Sequence, residues 1–174
     1  MICVIDTSAL ITFYELKKIS LLNQLFNEVY VPVTVEEQFL KEEADEKLEF
    51  ILSIGEENSW IKKCQSYRED IIDILKTDNR IDPGEREAIA QFQKLKEDLK
   101  IEKGRIVCVI DEKNGRKVAE SMDVELTGTL FLLARLHFLG FIDYTSTVLP
   151  IAKRRRFSNK NIEKAFAKAR DFIG

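Results

Sequence analysis

Two aspartates, Asp6 and Asp111, directly follow continuous apolar stretches of this sequence, at 2–5 and 106–110. Continuous apolar runs of this length are typical of strands that are buried on both faces of a parallel sheet. In such sheets, ligands bind beyond the carboxyl ends of the strands. We therefore expect both carboxylates to project into one crevice. A strand-end acid also has a second explanation, since it can cap the helix that follows.

Two glutamates, Glu85 and Glu87, lie in the first turn of a predicted helix that opens with the segment DPG at 82–84. The helix dipole stabilises acids in a first turn, so their position also has a purely structural explanation. If one or both join Asp6 and Asp111, at least three carboxylates share a crevice and repel one another unless they are protonated or bridged by cations. Hard oxygen ligands of this kind select Mg²⁺ or Mn²⁺ over zinc.

The rest of the chain alternates short apolar strands with helices, which predicts an α/β fold built from βαβ units around a mostly parallel sheet. Thr7 or Ser8 is expected to cap the helix after Asp6. No repeat, low-complexity block or linker is visible, so we expect one domain over 1–174 with a helical tail from about 150. Further strands are expected at 29–31, 60–61 and around Val124, and the main helices at 34–52, 67–75, 85–99, 116–122, 130–139 and 161–173.

A chain of 174 residues with 45% hydrophobic and 33% charged side chains is long enough for a globular domain with its own core. Its formal net charge of −3 means that nucleic acid must be bound through local basic patches or cations. Cys3, Cys64 and Cys108 lie far apart without a zinc-like spacing, which favours a reduced, cytoplasmic setting. No signal peptide or membrane span is visible, so a membrane is not an expected partner.

Five segments of the sequence together resemble the PIN-domain family, in a prokaryotic branch related to VapC-type toxins. They are VIDTSALI, DPGEREAIA, VIDEKNGRKVAE, LTGTLFLLARLHFLGFI and KRRRFSNKNIEKAF. They occur in the family's order, and the resemblance extends over essentially the whole chain. It implies a three-layer α/β/α sandwich with a central parallel sheet and the acids at the carboxyl end of that sheet.

The resemblance also implies a set of site residues. In the third motif it allows Glu85 or Glu87, and we expect Glu87 because it directly precedes the segment AIA at 88–90. Glu112 is expected either to bind the metal itself or to support Asp111. The implied metal ligands are Asp6, Glu85, Glu87, Asp111 and Glu112, and the implied catalytic set is Asp6, Glu37, Glu87 and Asp111.

The second motif leaves two registers open. Counting from Thr34, the family's acid falls on Glu37, whereas counting from Pro32 or back from Phe39 it falls on Gln38. A glutamine supplies only a neutral oxygen, so it would weaken cation binding. We expect Glu37 to be the ligand.

The function implied is metal-dependent endoribonuclease activity, in which cations held by carboxylates polarise the RNA phosphate and lower the pKa of a bound water in a two-metal mechanism. Thr7, Ser8, Arg116 and Lys117 are the expected RNA contacts, and the basic run at 153–156 is either a further contact or a solvated face. The resemblance leaves open a role as the toxin of a toxin–antitoxin pair, a small antitoxin partner and a homodimer.

Two other classes of function compete with this interpretation. A PIN-like fold with a degraded site would serve as an RNA-binding or protein-binding module, and Gln38 is its main support. A phosphatase that uses Asp6 as nucleophile would want a second aspartate two residues later, where this chain has Ser8. Serine-protease-like chemistry is not expected, because the single histidine, His137, lies in an apolar helix and is interpreted as structural.

Overall fold

The protein contains a central five-stranded sheet flanked by helices, as seen in a computed structural model that describes residues 1–40, 59–64 and 67–172. The strand order is β3-β2-β1-β4-β5. The strands are β1 (Ile2–Ile5), β2 (Glu28–Val31), β3 (Ile61–Lys63), β4 (Ile106–Val109) and β5 (Leu126–Thr127). The expected edge strand near Ile61 is therefore confirmed, and the fifth strand begins two residues after the expected Val124.

Helices connect these strands, and we number the described ones in chain order. They are α1 (Thr7–Glu15), α2 (Val33–Leu40), α3 (Glu69–Lys76), α4 (Pro83–Asp98), α5 (Lys113–Ser121), α6 (Thr129–Phe138), α7 (Leu149–Arg154) and α8 (Asn159–Asp171). A 3₁₀ helix (Ile19–Gln24) precedes β2, and a π-helical turn (Tyr144–Val148) precedes α7. The expected continuation of α2 to Leu52 lies outside the described residues, and α7 and α8 form the helical tail that was expected from about 150.

The register of the sheet brings the ends of β1 and β4 side by side. β1 pairs in parallel with β2 on one side and with β4 on the other, where Ile5 is level with Val109. From β1 the sheet is extended by β2 and β3 on one side and by β4 and β5 on the other. The order of the strands therefore switches between β1 and β4, and ligands of α/β sheets bind in the crevice at such a switch point. The expected α/β fold with a parallel sheet is confirmed.

Apolar residues on both faces of β1 explain why this strand lies in the middle of the sheet. Val4 packs in a core cluster with Cys108, Ala88 and Phe92. The next residue, Ile5, faces the other side of the sheet and is also fully buried. A strand that is covered on both faces must be apolar throughout, which is the pattern the sequence shows. The three cysteines are free and buried, and Cys3 and Cys108 lie within β1 and β4.

Two helix starts differ from expectation because aspartates cap them. Asp6 Oδ1 accepts a hydrogen bond of 2.9 Å from the Ala9 N–H, so Asp6 and not Thr7 or Ser8 is the N-cap of α1. Asp82 caps α4 and allows the helix to begin at Pro83, two residues earlier than expected. Proline is favoured in a first turn because an N–H at that position would have no helical acceptor, so its absence costs no hydrogen bond.

The chain divides into two compact units, residues 1–126 and 127–174. In the second unit α6 packs on α8, and the His137 ring lies 5.5–6.1 Å from the rings of Phe138, Tyr144 and Phe166. His137 Nδ1 lies 3.2 Å from the Ile142 carbonyl oxygen, which agrees with its structural interpretation. The single domain over 1–174 stays a prediction. Within the described residues, no helix is long and apolar enough to span a bilayer.

Candidate functional site

The structure brings Asp6 and Asp111 together at the carboxyl ends of β1 and β4. The Ser8 hydroxyl lies 3.1 Å from each carboxylate oxygen of Asp6 and 3.4 Å from Asp111 Oδ2. Ser8 is in the first turn of α1, directly after the strand that carries Asp6. Two carboxylates thus converge on one hydroxyl group at the switch point of the sheet.

The environment of Asp6 opposes its ionisation. Its side chain is 4% exposed, and burial together with the nearby Asp111 raises the pKa of Asp6 to about 8. Hydrogen bonds from the Ala9 N–H and the Ser8 hydroxyl act in the opposite direction, because they stabilise the charged form. Local donors therefore support the negative charge of Asp6, while burial and the charge of Asp111 oppose it.

A second cluster of oxygen atoms surrounds Gly84, in the first turn of α4. The Thr7 hydroxyl donates a short hydrogen bond to Gln38 Oε1. A methyl group at Gly84 would lie 3.1 Å from Gln38 Oε1, 3.2 Å from Thr7 Oγ1 and 3.3 Å from Asp82 Oδ1. The sequence interpretation treated Asp82 only as the start of a helix. Its position between an apolar residue and PG was the signal for a cap, but nothing local indicated that Thr7 and Gln38 lie beside it.

Gln38 lies beside Thr7, whereas Glu37, the residue expected at this position, is exposed. The helix α2 begins at Val33, and its fully buried residues Val35 and Phe39 fix the face that packs inward. Glu37 lies about 200° from Val35 around the helix and is exposed, whereas Gln38 lies on the flank that contacts Thr7. Pro32 determines this register because the helix starts directly after it.

Glu87, the expected ligand from the third motif, lies at the start of α2 and not beside Asp6. Its Oε2 accepts a 2.7 Å hydrogen bond from the Thr34 N–H, and its Oε1 accepts a short hydrogen bond from the Thr34 hydroxyl. Tyr67 also hydrogen-bonds to Glu87 and accepts a 2.6 Å hydrogen bond from the Val33 N–H. Glu87 therefore satisfies donors at the N-terminus of α2, where a carboxylate is also favoured by the helix dipole.

Glu85 points into the protein instead. It is 3% exposed, and its Oε2 accepts a 3.1 Å hydrogen bond from the Asp82 N–H, while Oε1 is buried without a hydrogen-bond partner among the described residues. Burial, and then the negative charges of Asp82 and Glu112, raise the pKa of Glu85 to about 7. A methyl group at Gly115 would lie 2.1 Å from Glu85 Oε1, so the glycine makes room for this carboxyl group.

The other expected site residues lie on α5 or directly before it. Glu112 is exposed and precedes the helix as its N-cap residue without a side-chain capping bond. Arg116 donates a 2.7 Å hydrogen bond to the Ile110 carbonyl oxygen, so part of its guanidinium is used to hold the end of β4. Lys117 is exposed. Of the expected ligands, only Asp6 and Asp111 are thus brought to a common hydroxyl.

The donor set fits one magnesium-like cation better than the expected two-metal cage. Within the described ranges, no group of three or more His, Cys, Asp or Glu side chains is arranged to hold a metal ion. Mg²⁺, however, is commonly held by one or two carboxylates, with water and substrate phosphate at its other positions. The adjacent carboxylates of Asp6 and Asp111 meet that requirement.

A parallel sheet with paired strand-end carboxylates at its switch point defines a nuclease-like α/β protein, and comparison with known families agrees. A family model described as a PIN domain matches residues 2–171, so the chain belongs to the PIN-domain family, whose members are generally nucleases. No match was found among curated proteins or among solved structures.

Replacing Asp111 with Asn should keep or raise the melting temperature of the metal-free protein. Because the folded pKa of Asp6 lies above its unfolded value of 3.8, native Asp6 keeps a proton that the unfolded chain releases between about pH 4 and pH 8, so stability falls as pH rises through this window. Removing the charge of Asp111 lowers the pKa of Asp6 and should reduce that loss.

Calorimetry in EDTA at pH 5 and pH 8 measures this effect. The gain of Asp111→Asn over the natural sequence should be larger at pH 8 than at pH 5. The exposed Asp171, which forms no ion pair with the described residues, provides the control Asp171→Asn, for which we expect no such difference. A lower melting temperature of Asp111→Asn at pH 8 would mean that Asp111 stabilises the fold and does not repel Asp6.

Replacing Glu87 with Ala should lower the free energy of unfolding by about 1–3 kcal/mol, because it leaves donors at the start of α2 without their acceptor. Chemical denaturation measures this change, with Glu37→Ala as a control that removes an exposed glutamate from the surface. Mn²⁺ affinity, measured by calorimetric titration, should stay unchanged in Glu87→Ala. Unchanged stability combined with weaker Mn²⁺ binding would instead identify Glu87 as a metal ligand.

Proposed function

We propose that this chain is a metal-dependent ribonuclease that hydrolyses RNA phosphodiester bonds at the crevice between β1 and β4. The observation that carries the proposal is the convergence of Asp6 and Asp111 on the Ser8 hydroxyl, with the pKa of Asp6 raised to about 8. A buried and a half-buried carboxylate held this closely favour a divalent cation, which removes their repulsion. Membership of the PIN-domain family supports nuclease chemistry at this position.

Asp6 and Asp111 would hold the cation, Mg²⁺ or Mn²⁺. When bound, such a cation polarises a phosphate oxygen and lowers the pKa of a coordinated water. The role of the protein is to fix the two carboxylates in place. Asp6 is fixed by its cap to the Ala9 N–H at 2.9 Å, and the Ser8 hydroxyl restrains both acids from one position.

The start of α1 also favours a phosphate at this crevice. Thr7 and Ser8 occupy the first turn of this nine-residue helix, where the helix dipole is positive. Thr7 and Gln38 add neutral polar groups next to this turn. We propose that they orient the RNA backbone through hydrogen bonds while Asp6 and Asp111 hold the cation.

The purified protein should cleave single-stranded RNA with Mg²⁺ or Mn²⁺, leave 5′-phosphate ends and lose activity in EDTA. Asp6→Asn and Asp111→Asn should each remove most of the activity, whereas Asp171→Asn should keep it. A labelled oligonucleotide assay with analysis of the product ends measures all three. Cleavage that persists in EDTA, or products with 2′,3′-cyclic phosphates, would contradict metal-assisted hydrolysis.

The position of Gln38 leads to a gain-of-function prediction. The structure supports Gln38, and not Glu37, as the residue at the second-motif position, because Gln38 contacts Thr7 beside Asp82 and Gly84. Gln38→Glu should therefore add a carboxylate to the site and tighten Mn²⁺ binding about tenfold, which corresponds to about 1.4 kcal/mol. The added negative charge should also lower the melting temperature of the metal-free protein, and Mn²⁺ should reverse this loss.

Glu37→Ala is the matched test of the other register, since it removes an acid one residue away. We expect it to leave Mn²⁺ affinity and cleavage unchanged. A tenfold loss of activity in Glu37→Ala, with no gain in Gln38→Glu, would show that Glu37 reaches the site when RNA and metal are bound.

One observation favours a second function, a PIN-fold module that binds RNA or protein without efficient cleavage. Gln38 is neutral and Glu87 is bonded to the start of α2, so Asp6 and Asp111 are the two carboxylates that meet at Ser8 among the described residues. Such a module would bind RNA equally with and without Mn²⁺, so comparing the two conditions distinguishes it from an enzyme.

The toxin role also belongs to this proposal. It is supported by the resemblance of the segments at 126–142 and 153–166 to the VapC-related branch. If the chain is a toxin, its partner would be a small antitoxin protein. The toxin would then form a homodimer and act in the cytoplasm. A gene for a small DNA-binding protein next to this one would support it, and harmless overproduction of an active enzyme in a bacterial host would contradict it.

A further inference from the structure

The charge of the chain is divided unequally between its two units. Residues 127–174 contain nine Lys and Arg and three Asp and Glu, which gives a formal net charge of +6. Because the whole chain carries −3, residues 1–126 carry −9. The formal charge of the unit that contains Asp6 and Asp111 therefore opposes the approach of a polyanion, whereas the charge of residues 127–174 favours it.

Three lysines form a stripe along α8, and we call Lys160, Lys164 and Lys168 the lysine stripe. Residues four positions apart advance by about 40° around a helix, so the three side chains lie on one side of α8. All three are exposed, and the buried residues of the helix, Ile162 and Ala169, lie on roughly the opposite side.

The lysine stripe is unfavourable for the helix itself, so helix stability does not explain it. Like charges four residues apart repel one another, and Lys160 lies in the first turn, where the helix dipole disfavours a cation. Glu163 and Asp171 are three residues from Lys160 and Lys168, yet no member of the stripe forms an ion pair with an acid among the described residues. By contrast, the basic residues at the end of α7 are favoured by its dipole.

One member of the stripe is also held in position. The Lys168 ammonium lies 5.3 Å from the centre of the Phe131 ring of α6, and Arg170 lies over Phe138 at 5.7 Å. Such cation–π contacts restrain long side chains while leaving the charge available at the surface.

We infer that the lysine stripe of α8 binds the phosphate backbone of single-stranded RNA. This inference rests on the proposed function, because it takes RNA as the ligand. Three ammonium groups in line match a chain of phosphates, which binds through charge without reading the sequence. An acidic protein segment is the competing ligand of this surface.

The test measures binding of a single-stranded oligouridylate in EDTA over a series of salt concentrations, so that cleavage does not interfere. The variant carries Lys160→Gln, Lys164→Gln and Lys168→Gln. The matched control carries Lys17→Gln, Lys100→Gln and Lys103→Gln, which removes three exposed lysines of the acidic unit that form no salt bridge with the described residues. Both proteins lose the same charge, so a difference between them reports position.

Each phosphate neutralised on a single strand contributes about 0.7 to the slope of log affinity against log salt. The α8 variant should therefore lose about 2 from the magnitude of this slope and bind at least tenfold more weakly at low salt, while the control should keep the slope. Equal slopes in the two variants overturn the inference. Weaker binding of polyglutamate but unchanged binding of RNA by the α8 variant also overturns it, because the surface then fits an acidic protein.

A parallel cleavage assay separates this inference from the proposed activity. If the slopes are equal while the natural protein cleaves RNA with Mn²⁺, only the α8 surface is ruled out. If the slope falls as expected but no cleavage occurs with Mg²⁺ or Mn²⁺, the ribonuclease proposal is ruled out and the RNA-binding surface stands.

Discussion

Repulsion between two carboxylates in a buried crevice is the constraint on which this site depends. Asp6 and Asp111 are distant in sequence, but β1 and β4 are parallel neighbours, so both chains leave the sheet at the same point. Burial and the charge of Asp111 hold the pKa of Asp6 near 8, while the α1 cap and Ser8 support its charged form. The fold thus holds two carboxyl groups together, and a divalent cation bound there would offset their repulsion.

Two other acids of the expected site, Glu85 and Glu87, serve the fold around this pair. Glu87 satisfies the start of α2, and through that helix it positions Gln38 beside Thr7. Glu85 closes the capping box of α4 and fills the space that Gly115 leaves. A buried carboxyl group with one unpartnered oxygen is costly when ionised, which is consistent with the raised pKa of Glu85. Secondary structure and cation binding therefore draw on the same type of side chain, and position decides between them.

The sequence predicted the sheet better than the site, for a physical reason. A central strand such as β1 is apolar on both faces, and this requirement is visible in the four residues themselves. The assignment of Glu87 depends on a hydrogen bond to Thr34, 53 residues away, which no local pattern reveals. The choice between Glu37 and Gln38 depends on where α2 begins, and a shift of one residue rotates a side chain by about 100°. The positions of Asp6 and Asp111 were predictable because the apolar strands that they follow were visible in the sequence.

The distribution of charge follows from the same constraint. A crevice that attracts a divalent cation must be negative, yet RNA is a polyanion, so one surface cannot supply both attractions at full strength. The neutral Gln38 beside Thr7 adds no negative charge there. An acid at the same position would increase the repulsion of RNA. Residues 1–126 carry a formal charge of −9 and residues 127–174 one of +6. The lysines of α8 lie four residues apart, so they repel one another along the helix. In the proposed function, cation binding would fall to residues 1–126 and attraction of the nucleic acid to residues 127–174.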